Sequence, residues 1–478
     1  MLLRILLSSF ALLMILSAGT VAQQSSARVS RQRTGAVPTA KDRLAPTSQD
    51  AAIAAALKEI SAAQIRHTIE WLASFGNRNT LSVEQPAASG HGVAAARDWI
   101  KSEFERYSKA CGGCLEVALD TFIEPPADRI PKPTQISNVY AIQRGSDPEN
   151  SKRIYLVTGH YDSRNSDTLN TTDPAPGAND DASGTAVSLE CARVLSQHRF
   201  PATIIFLAVA GEEQGLNGSQ HFAKMAKEKG WQIEAVLNND IVGGNQTPGD
   251  KLQDLSTVRV FSEGVPAAAT DMELSQIRAL GGENDSPSRQ LARYVQEVGS
   301  KYSGRTFHPT LIFRRDRYLR GGDHTAFNQQ GVAAVRFTEW REDYNHQHQN
   351  VRTENGIEYG DLPKFVNFEY VAKVARLNAA TLASLASSPA PPANVRLLTK
   401  QLENSSALVW EPSPGGLAQG YEVVWRDTTA PDWEVSKRAQ KGETRITLPM
   451  SKDNKIFGVR AIDTKGHRSL IAVPQPER

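Results

Sequence analysis

Hydrophobic spacing changes period several times along the chain. Helical spacing runs through Ala51 to Phe75 and returns in Val93 to Tyr107, where Trp99, Phe104 and several alanines share one face. Apolar residues then fall at every second position in Leu115 to Ile123 and Ile136 to Gln143, and Pro125, Pro126, Pro131 and Pro133 force a loop between these strands. From Arg153 the apolar runs become short and nearly continuous, as in a sheet covered on both faces. They predict strands at Ile154 to Thr158, Thr203 to Ala210, Ile233 to Asn239, Val258 to Ser262, Thr310 to Phe313 and Ala333 to Thr338. Helices are predicted near Gly184 to Gln197, Gly218 to Lys229 and Ser286 to Val298, with a last long one from Pro363 to about Leu385. The expected fold class over residues 50–387 is three-layer α/β/α with a mixed, mostly parallel sheet.

Different patterns flank this region. Arg4 precedes the apolar run Ile5 to Leu16, and Thr20-Val21-Ala22 forms a small-x-small site, so residues 1–22 are expected to be a signal peptide. An uncleaved anchor helix is the alternative, and the short apolar stretch argues against it. The mature chain would be exported, periplasmic or extracellular, without stable membrane insertion. Residues 23–49 are polar and predict a flexible leader. After a proline-rich linker at 388–393, residues 394–478 show short alternating strands, including Ala407 to Trp410, Tyr421 to Trp425, Thr444 to Leu448 and Ile456 to Ile462. That pattern predicts a small β-sandwich. It is similar to a fibronectin type III domain, with Pro391-Pro392-Ala393-Asn394-Val395 at the start and Trp410 as the core tryptophan; Lys455 stands where a corner tyrosine is common. Such a domain could bind a partner or substrate surface, or simply pack on the larger one.

Composition narrows the classes. Hydrophobic residues make up 40% and charged residues 22% of 478 positions, which excludes a disordered, collagen-like or polytopic membrane chain. The net charge of +2 argues against nucleic acid as a partner. Three cysteines are too few for a disulfide scaffold. Export would allow a Cys111–Cys114 bridge, and as a redox motif this CGGC lies in the wrong order, after a helical pattern and before a strand.

The candidate chemistry gathers at strand ends, where open α/β sheets bind ligands. Gly159-His160-Tyr161-Asp162 closes the first buried strand, and its carboxylate could orient the imidazole, although H-x-D alone is common. Asn179-Asp180-Asp181 precedes a helix and could simply cap it. Gly211-Glu212-Glu213 follows another strand, where an extended backbone would send adjacent carboxylates to different sides. Asn238-Asn239-Asp240 ends a third. Acidic groups gathered at one sheet edge resist desolvation unless a cation neutralises them. Imidazole and carboxylate without thiolate suit zinc, with manganese or cobalt as alternatives.

In this order the motifs, H-x-D, P-G-A-x-D-D-A-S-G, G-E-E, N-D and a late His in a Tyr-containing loop, resemble the co-catalytic two-zinc aminopeptidases, metallopeptidase family twenty-eight, over about Ala51 to Leu385. The resemblance implies two zinc ions per chain. His160 and Asp240 would bind one, Glu213 and a late His the other, and Asp180 would bridge them. Glu212 would be the general base and Asp162 would orient His160. Within Glu342 to Gln349, the distance to the helix at Pro363 favours His348 over His346 as the late ligand, while Gln349 and Arg352 stand where the family carries Thr and Asp. Gly322-Asp323-His324-Thr325-Ala326-Phe327 matches a further family segment, in which Asp323 or His324 could assist or Asp323 could cap a helix.

The implied reaction is attack on a peptide carbonyl by a hydroxide shared between two cations, with Glu212 moving the proton from water to the leaving amine. An acidic rim favours a free α-ammonium group, so peptide and protein N-termini are the expected substrates. A carboxypeptidase on the same fold is an alternative, with Arg314, Arg315, Arg317 and Arg320 available for a substrate carboxylate. Another is a catalytically inactive, metal-stabilised binding ectodomain, against which the presence of Glu212 argues. His160 together with Asp240 argues against a single-zinc glutaminyl cyclase, and no H-E-x-x-H pair or G-x-S-x-G elbow occurs.

Overall fold

The two periods produce one eight-stranded mixed sheet, seen in a computed structural model that describes residues 48–84, 87–304, 306–439 and 442–477. The expected signal peptide and nearly all of the leader lie outside the described residues. In chain order the strands are β1 (Leu115–Glu124), β2 (Thr134–Gln143), β3 (Arg153–His160), β4 (Thr203–Val209), β5 (Gln232–Asn239), β6 (Thr257–Ser262), β7 (His308–Ile312) and β8 (Ala334–Glu339). Their order across the sheet is β1-β2-β4-β3-β5-β8-β6-β7. The centre, β4-β3-β5-β8, is parallel, whereas β1 to β2, β2 to β4 and β6 to β8 are antiparallel.

Both faces are covered, which is why the central strands read as unbroken apolar runs. Tyr155 and Val157 of β3 point into a core shared with α2 (Ala62–Ser74), α4 (Ala182–Leu195) and α10 (Phe368–Ser387). Ile154 and Leu156 point the other way, against Phe222 of α6 (Asn217–Glu228) and Phe327 of α9 (His324–Gln329). The remaining helices are α1 (Ala51–Ala56), α3 (Gly92–Ala110), α5 (Glu212–Gly215), α7 (Asp271–Leu280) and α8 (Pro287–Tyr302). Cys111 and Cys114, which follow α3, are joined in a disulfide.

Several boundaries differ from expectation for local reasons. The helical pattern at Ala51 to Phe75 is interrupted by a 3₁₀ turn at Leu57–Glu59, and Ser61 starts α2 anew by capping Gln64 N–H. Pro363–Phe365 is a separate 3₁₀ turn, and α10 starts where the Asn367 side chain accepts from Tyr370 N–H. Helix α7 has no buried residue, so no apolar face announced it; its signal is the capping box of Thr270 and Glu273.

A short hairpin, β9 (Arg352–Glu354) and β10 (Ile357–Tyr359), precedes α10. Beyond α10 lie β11 (Ala393–Leu398), β12 (Ser406–Glu411), β13 (Gly420–Asp427), β14 (Val435–Arg438), β15 (Arg445–Leu448), β16 (Lys455–Ile462) and β17 (Gln475–Glu477). They form a sheet ordered β15-β12-β11-β17 and a second ordered β14-β13-β16. Trp410 of the first and Tyr421 of the second meet edge-on at 5.5 Å inside one core. The final strand pairs in parallel with β11, while the preceding residues Arg468 and Ala472 bridge to β16.

This sandwich sits on α8 through buried polar contacts. Arg426 grips both oxygens of Asp285 at 2.8 and 2.9 Å, and the Trp433 indole donates to Gln290 Oε1 at 3.0 Å. Arg460 and Arg468 each reach Glu297 at 2.6 Å and also pair with Glu422. The connection from α10 is pinned as well, since Arg153 donates to the carbonyls of Ser388 and Pro389. His467 lies between Asp463, at 2.7 Å, and Asp50, at 3.1 Å, the residue that caps α1.

Burial alone would raise the Glu297 carboxyl, but Arg460 and Arg468 overcome it and hold the group down at about 2. A depressed folded value stabilises fully above the ordinary carboxylate range and is lost as pH falls through it. Glu297→Gln should therefore lower the thermal unfolding temperature at pH 7, and its deficit against wild type should shrink between about pH 4.5 and pH 2. Thermal melts across that window measure it.

Candidate metal centre

The carboxyl ends of β4, β3 and β5 bring the expected residues together. His160 is the last residue of β3, Asp240 follows β5, and Glu212 and Glu213 follow β4. The pair of glutamates is not extended as expected. Left-handed Gly211, at φ +79°, turns the chain so that both begin the short helix α5, and about 100° of helical rotation still separates them. One ligand atom each from His160, Glu212 and Asp240 lies within 4.8 Å of the others, and the same holds for Asp180, Glu213 and His348.

Asp180 joins the two groups. Its Oδ1 is 3.1 Å from His160 Nε2, and its Oδ2 is 2.8 Å from His348 Nε2. His348 Nε2 is also 2.9 Å from Glu213 Oε1. The next residue does different work: Asp181 caps α4 by accepting from Gly184 N–H at 2.8 Å, and its other oxygen accepts from His160 N–H at 3.0 Å. The capping reading of this pair thus belongs to Asp181 alone. Close packing makes this possible, because a Cβ on Gly184 would stand 2.1 Å from the Asn239 carbonyl oxygen.

Asp162 Oδ1 is 3.4 Å from His160 Nδ1, and its Oδ2 accepts from the Thr80 hydroxyl and from Glu213 N–H. His346 turns away from the cluster, bonded to the Asn245 side chain at 2.8 Å and stacked on Phe365 at 3.6 Å. His324 Nε2 meets the Arg315 carbonyl at 2.9 Å, and burial lowers its pKa to about 4, so it is a neutral donor to the neighbouring loop. Asp323 begins α9 without a side-chain cap bond, and burial lifts its carboxyl to about 7. Of the four arginines considered for a substrate carboxylate, Arg317 and Arg320 turn onto Glu342 and Arg314 stacks on Tyr318.

The electrostatics are those of carboxylates crowded out of water. Burial pushes Glu212 well above its ordinary range despite the opposing pull of His160, and the charges of Asp240 and Glu213 push in the same direction. Burial likewise raises Asp240 in spite of Arg336. Burial raises Asp180 and Glu213 as well, but His348 together with His160 for Asp180, and together with Arg164 for Glu213, moves both down. The donor set fits divalent cations. His160 Nε2 and Asp240 Oδ2 are buried with no hydrogen-bond partner, and both residues belong to the cluster that a cation would neutralise.

Several supporting residues have no local sequence signal. Arg78 is fully buried and donates to the carbonyls of Leu72, Tyr161, Pro176 and Gly177, fixing the loop that carries Asp180. The Asp361 carboxylate accepts from the backbone N–H groups of Asn179 and Asp180. Arg336 reaches Asp240 Oδ1 at 2.9 Å, and Arg164 reaches Glu213 Oε2 at 2.8 Å. Arg78→Met would remove four hydrogen bonds to buried carbonyls, of which only those of Leu72 and Gly177 keep a backbone donor, in Phe75 and Ala182, and would remove a cation among carboxylates. It should cost on the order of 3–5 kcal/mol in urea unfolding and reduce zinc uptake, read by metal analysis of the purified variant.

The sequence is similar to those of known proteins. The sequence model described as peptidase family M28 matches residues 138–365, a span that holds every expected ligand. A probable zinc metalloprotease of Leptosphaeria maculans is 46% identical over 426 residues, 89% of this chain and 97% of that protein. Another, from Pyrenophora teres f. teres, is 46% identical over 440 residues, 91% of this chain and 89% of the relative. Among solved structures, the LapA aminopeptidase of Legionella pneumophila matches with a TM-score of 0.49 at 22% identity, over 70% of this chain and 75% of its own.

Proposed function

The chain belongs to peptidase family M28, a zinc metallopeptidase, and from that premise we propose that it is a secreted two-zinc aminopeptidase. The observation that carries the two-cation reading is Asp180, whose two oxygens face two different histidines at 3.1 and 2.8 Å. His160, Asp180 and Asp240 would hold one zinc, and Asp180, Glu213 and His348 the other. Bound there, the cations would supply Lewis acidity that acidifies water and polarises the scissile carbonyl.

The chain's own groups do the rest. Glu212 keeps some exposure to water, unlike Glu213 beside it. It stands beside His160 and Asp240, placed to accept a proton from attacking water and return it to the departing amine. Asp162 holds the His160 ring at Nδ1 through its carbonyl oxygen at 3.2 Å, with its carboxylate Oδ1 at 3.4 Å, and leaves Nε2 for the cluster. The surplus of carboxylate favours a substrate bearing a free α-ammonium group. Arg317 and Arg320 are already paired with Glu342, which weakens the case for binding a substrate C-terminus. Export is supported by the apolar run near the N-terminus and by the Cys111–Cys114 disulfide, a bond of oxidising compartments.

The test is release of N-terminal residues from unblocked and N-acetylated peptides by zinc-loaded protein. Cleavage of the unblocked set alone, abolished by chelation and reduced about 10²- to 10⁴-fold in kcat by Glu212→Gln, is the expected result. Release from the C-terminus would replace the reading with a carboxypeptidase, and zinc binding without hydrolysis would replace it with a binding protein.

A further inference from the structure

The two glutamate and aspartate ligands at the outer ends of the centre share an arrangement that the reaction does not require. Each has one oxygen held by a guanidinium. Arg164 Nε donates to Glu213 Oε2 at 2.8 Å, while Glu213 Oε1 faces His348 Nε2 at 2.9 Å. Arg336 Nη2 lies 2.9 Å from Asp240 Oδ1, while Oδ2 is buried without a partner. A guanidinium–carboxylate bond in a site this enclosed is strong, so the captured oxygen is not free to turn towards a cation.

Glu213 is fixed from its backbone side too. Its N–H donates to Asp162 Oδ2 at 3.3 Å and its carbonyl accepts from Arg129 at 2.9 Å, leaving the side chain little scope to swing both oxygens inward. Arg164 is itself anchored through its Nη1 to the Asn165 carbonyl at 3.2 Å. Its Nη2 also stands 2.6 Å from His348 Nδ1. Once Nε2 binds a cation, Nδ1 carries the ring proton and cannot accept, so Nη2 must withdraw from it, while the bond to Glu213 is made by a different nitrogen, Nε.

We propose that Arg164 is a positioning residue that confines Glu213 to a single ligand oxygen, Oε1, and thereby biases this cation position towards zinc over manganese. The inference rests on the two-zinc reading above. A carboxylate with both oxygens free can chelate and raise the coordination number, which suits the octahedral, oxygen-rich preference of manganese. One oxygen beside imidazole keeps the number low, as zinc prefers. The positive charge of Arg164 also offsets one carboxylate, so the metal-free site is less repulsive.

The experiment compares wild type, Arg164→Met and Arg164→Lys as full-length proteins, using chelator competition with Zn²⁺ and Mn²⁺ and the visible absorption of the Co²⁺-loaded forms. Wild type should take up two cobalt ions with intense ligand-field bands. Arg164→Met should bind two ions with weaker bands, reflecting higher coordination, and its zinc-over-manganese ratio should fall about tenfold or more. Arg164→Lys, which keeps the charge and a single donor, should fall between the two and guards against misfolding of the methionine variant. Two bound cobalt ions with an unchanged spectrum and an unchanged ratio in Arg164→Met and Arg164→Lys would overturn the role of Arg164. Fewer than two cobalt ions in wild type would instead overturn the two-cation reading beneath it.

Discussion

Repulsion among buried carboxylates is the constraint around which this molecule is arranged. Asp162, Asp180, Asp181, Asp240 and Glu213 are all nearly inaccessible to water at the ends of three neighbouring strands, with Glu212 close by. Such a gathering is tolerable only where donors and cations surround it. The protein supplies part of that compensation itself. Arg78 stands behind the Asp180 loop, Arg164 and Arg336 hold one oxygen each of Glu213 and Asp240, and backbone N–H groups meet Asp181 and Asp162. The orphaned atoms at His160 and Asp240 mark what the protein leaves for a metal to complete.

Adjacent residues in this site are divided sharply by backbone geometry. Asp181 belongs to the architecture, stitching α4 to the end of β3, whereas Asp180 faces both histidines. Glu212 and Glu213 are parted in the same way by the first turn of α5. A single residue's slip would exchange a structural group for a cluster-facing one at the first place, and would interchange the two glutamates of the cluster at the second.

The α/β class, the central strands and the chemistry at their ends were legible because each leaves a local trace: an unbroken apolar run, then a polar residue where none is needed for folding. His348 could be preferred over His346 only by counting from a later element, and the geometry supplies the reason, since His346 is taken up by Asn245 and Phe365. Arg78, Arg164, Asp361 and Arg336 left no such trace. Their partners are distant in sequence or are backbone carbonyls, and an arginine in a polar stretch reads as a solvated surface until the fold encloses it. Helix α7 was missed for the opposite reason, because it encloses nothing.

The His467 bridge to Asp50 has a consequence for how such a chain can diversify. The sandwich near one end of the sequence holds the cap of the first described helix near the other, and it also holds Glu297 of α8 through Arg460 and Arg468 and Asp285, just before α8, through Arg426. A module joined only by a linker can be lost, duplicated or exchanged among unrelated enzymes. This one shares ion pairs with its host, so a change at Asp285 or Glu297 strands an arginine of the sandwich unless that side changes too.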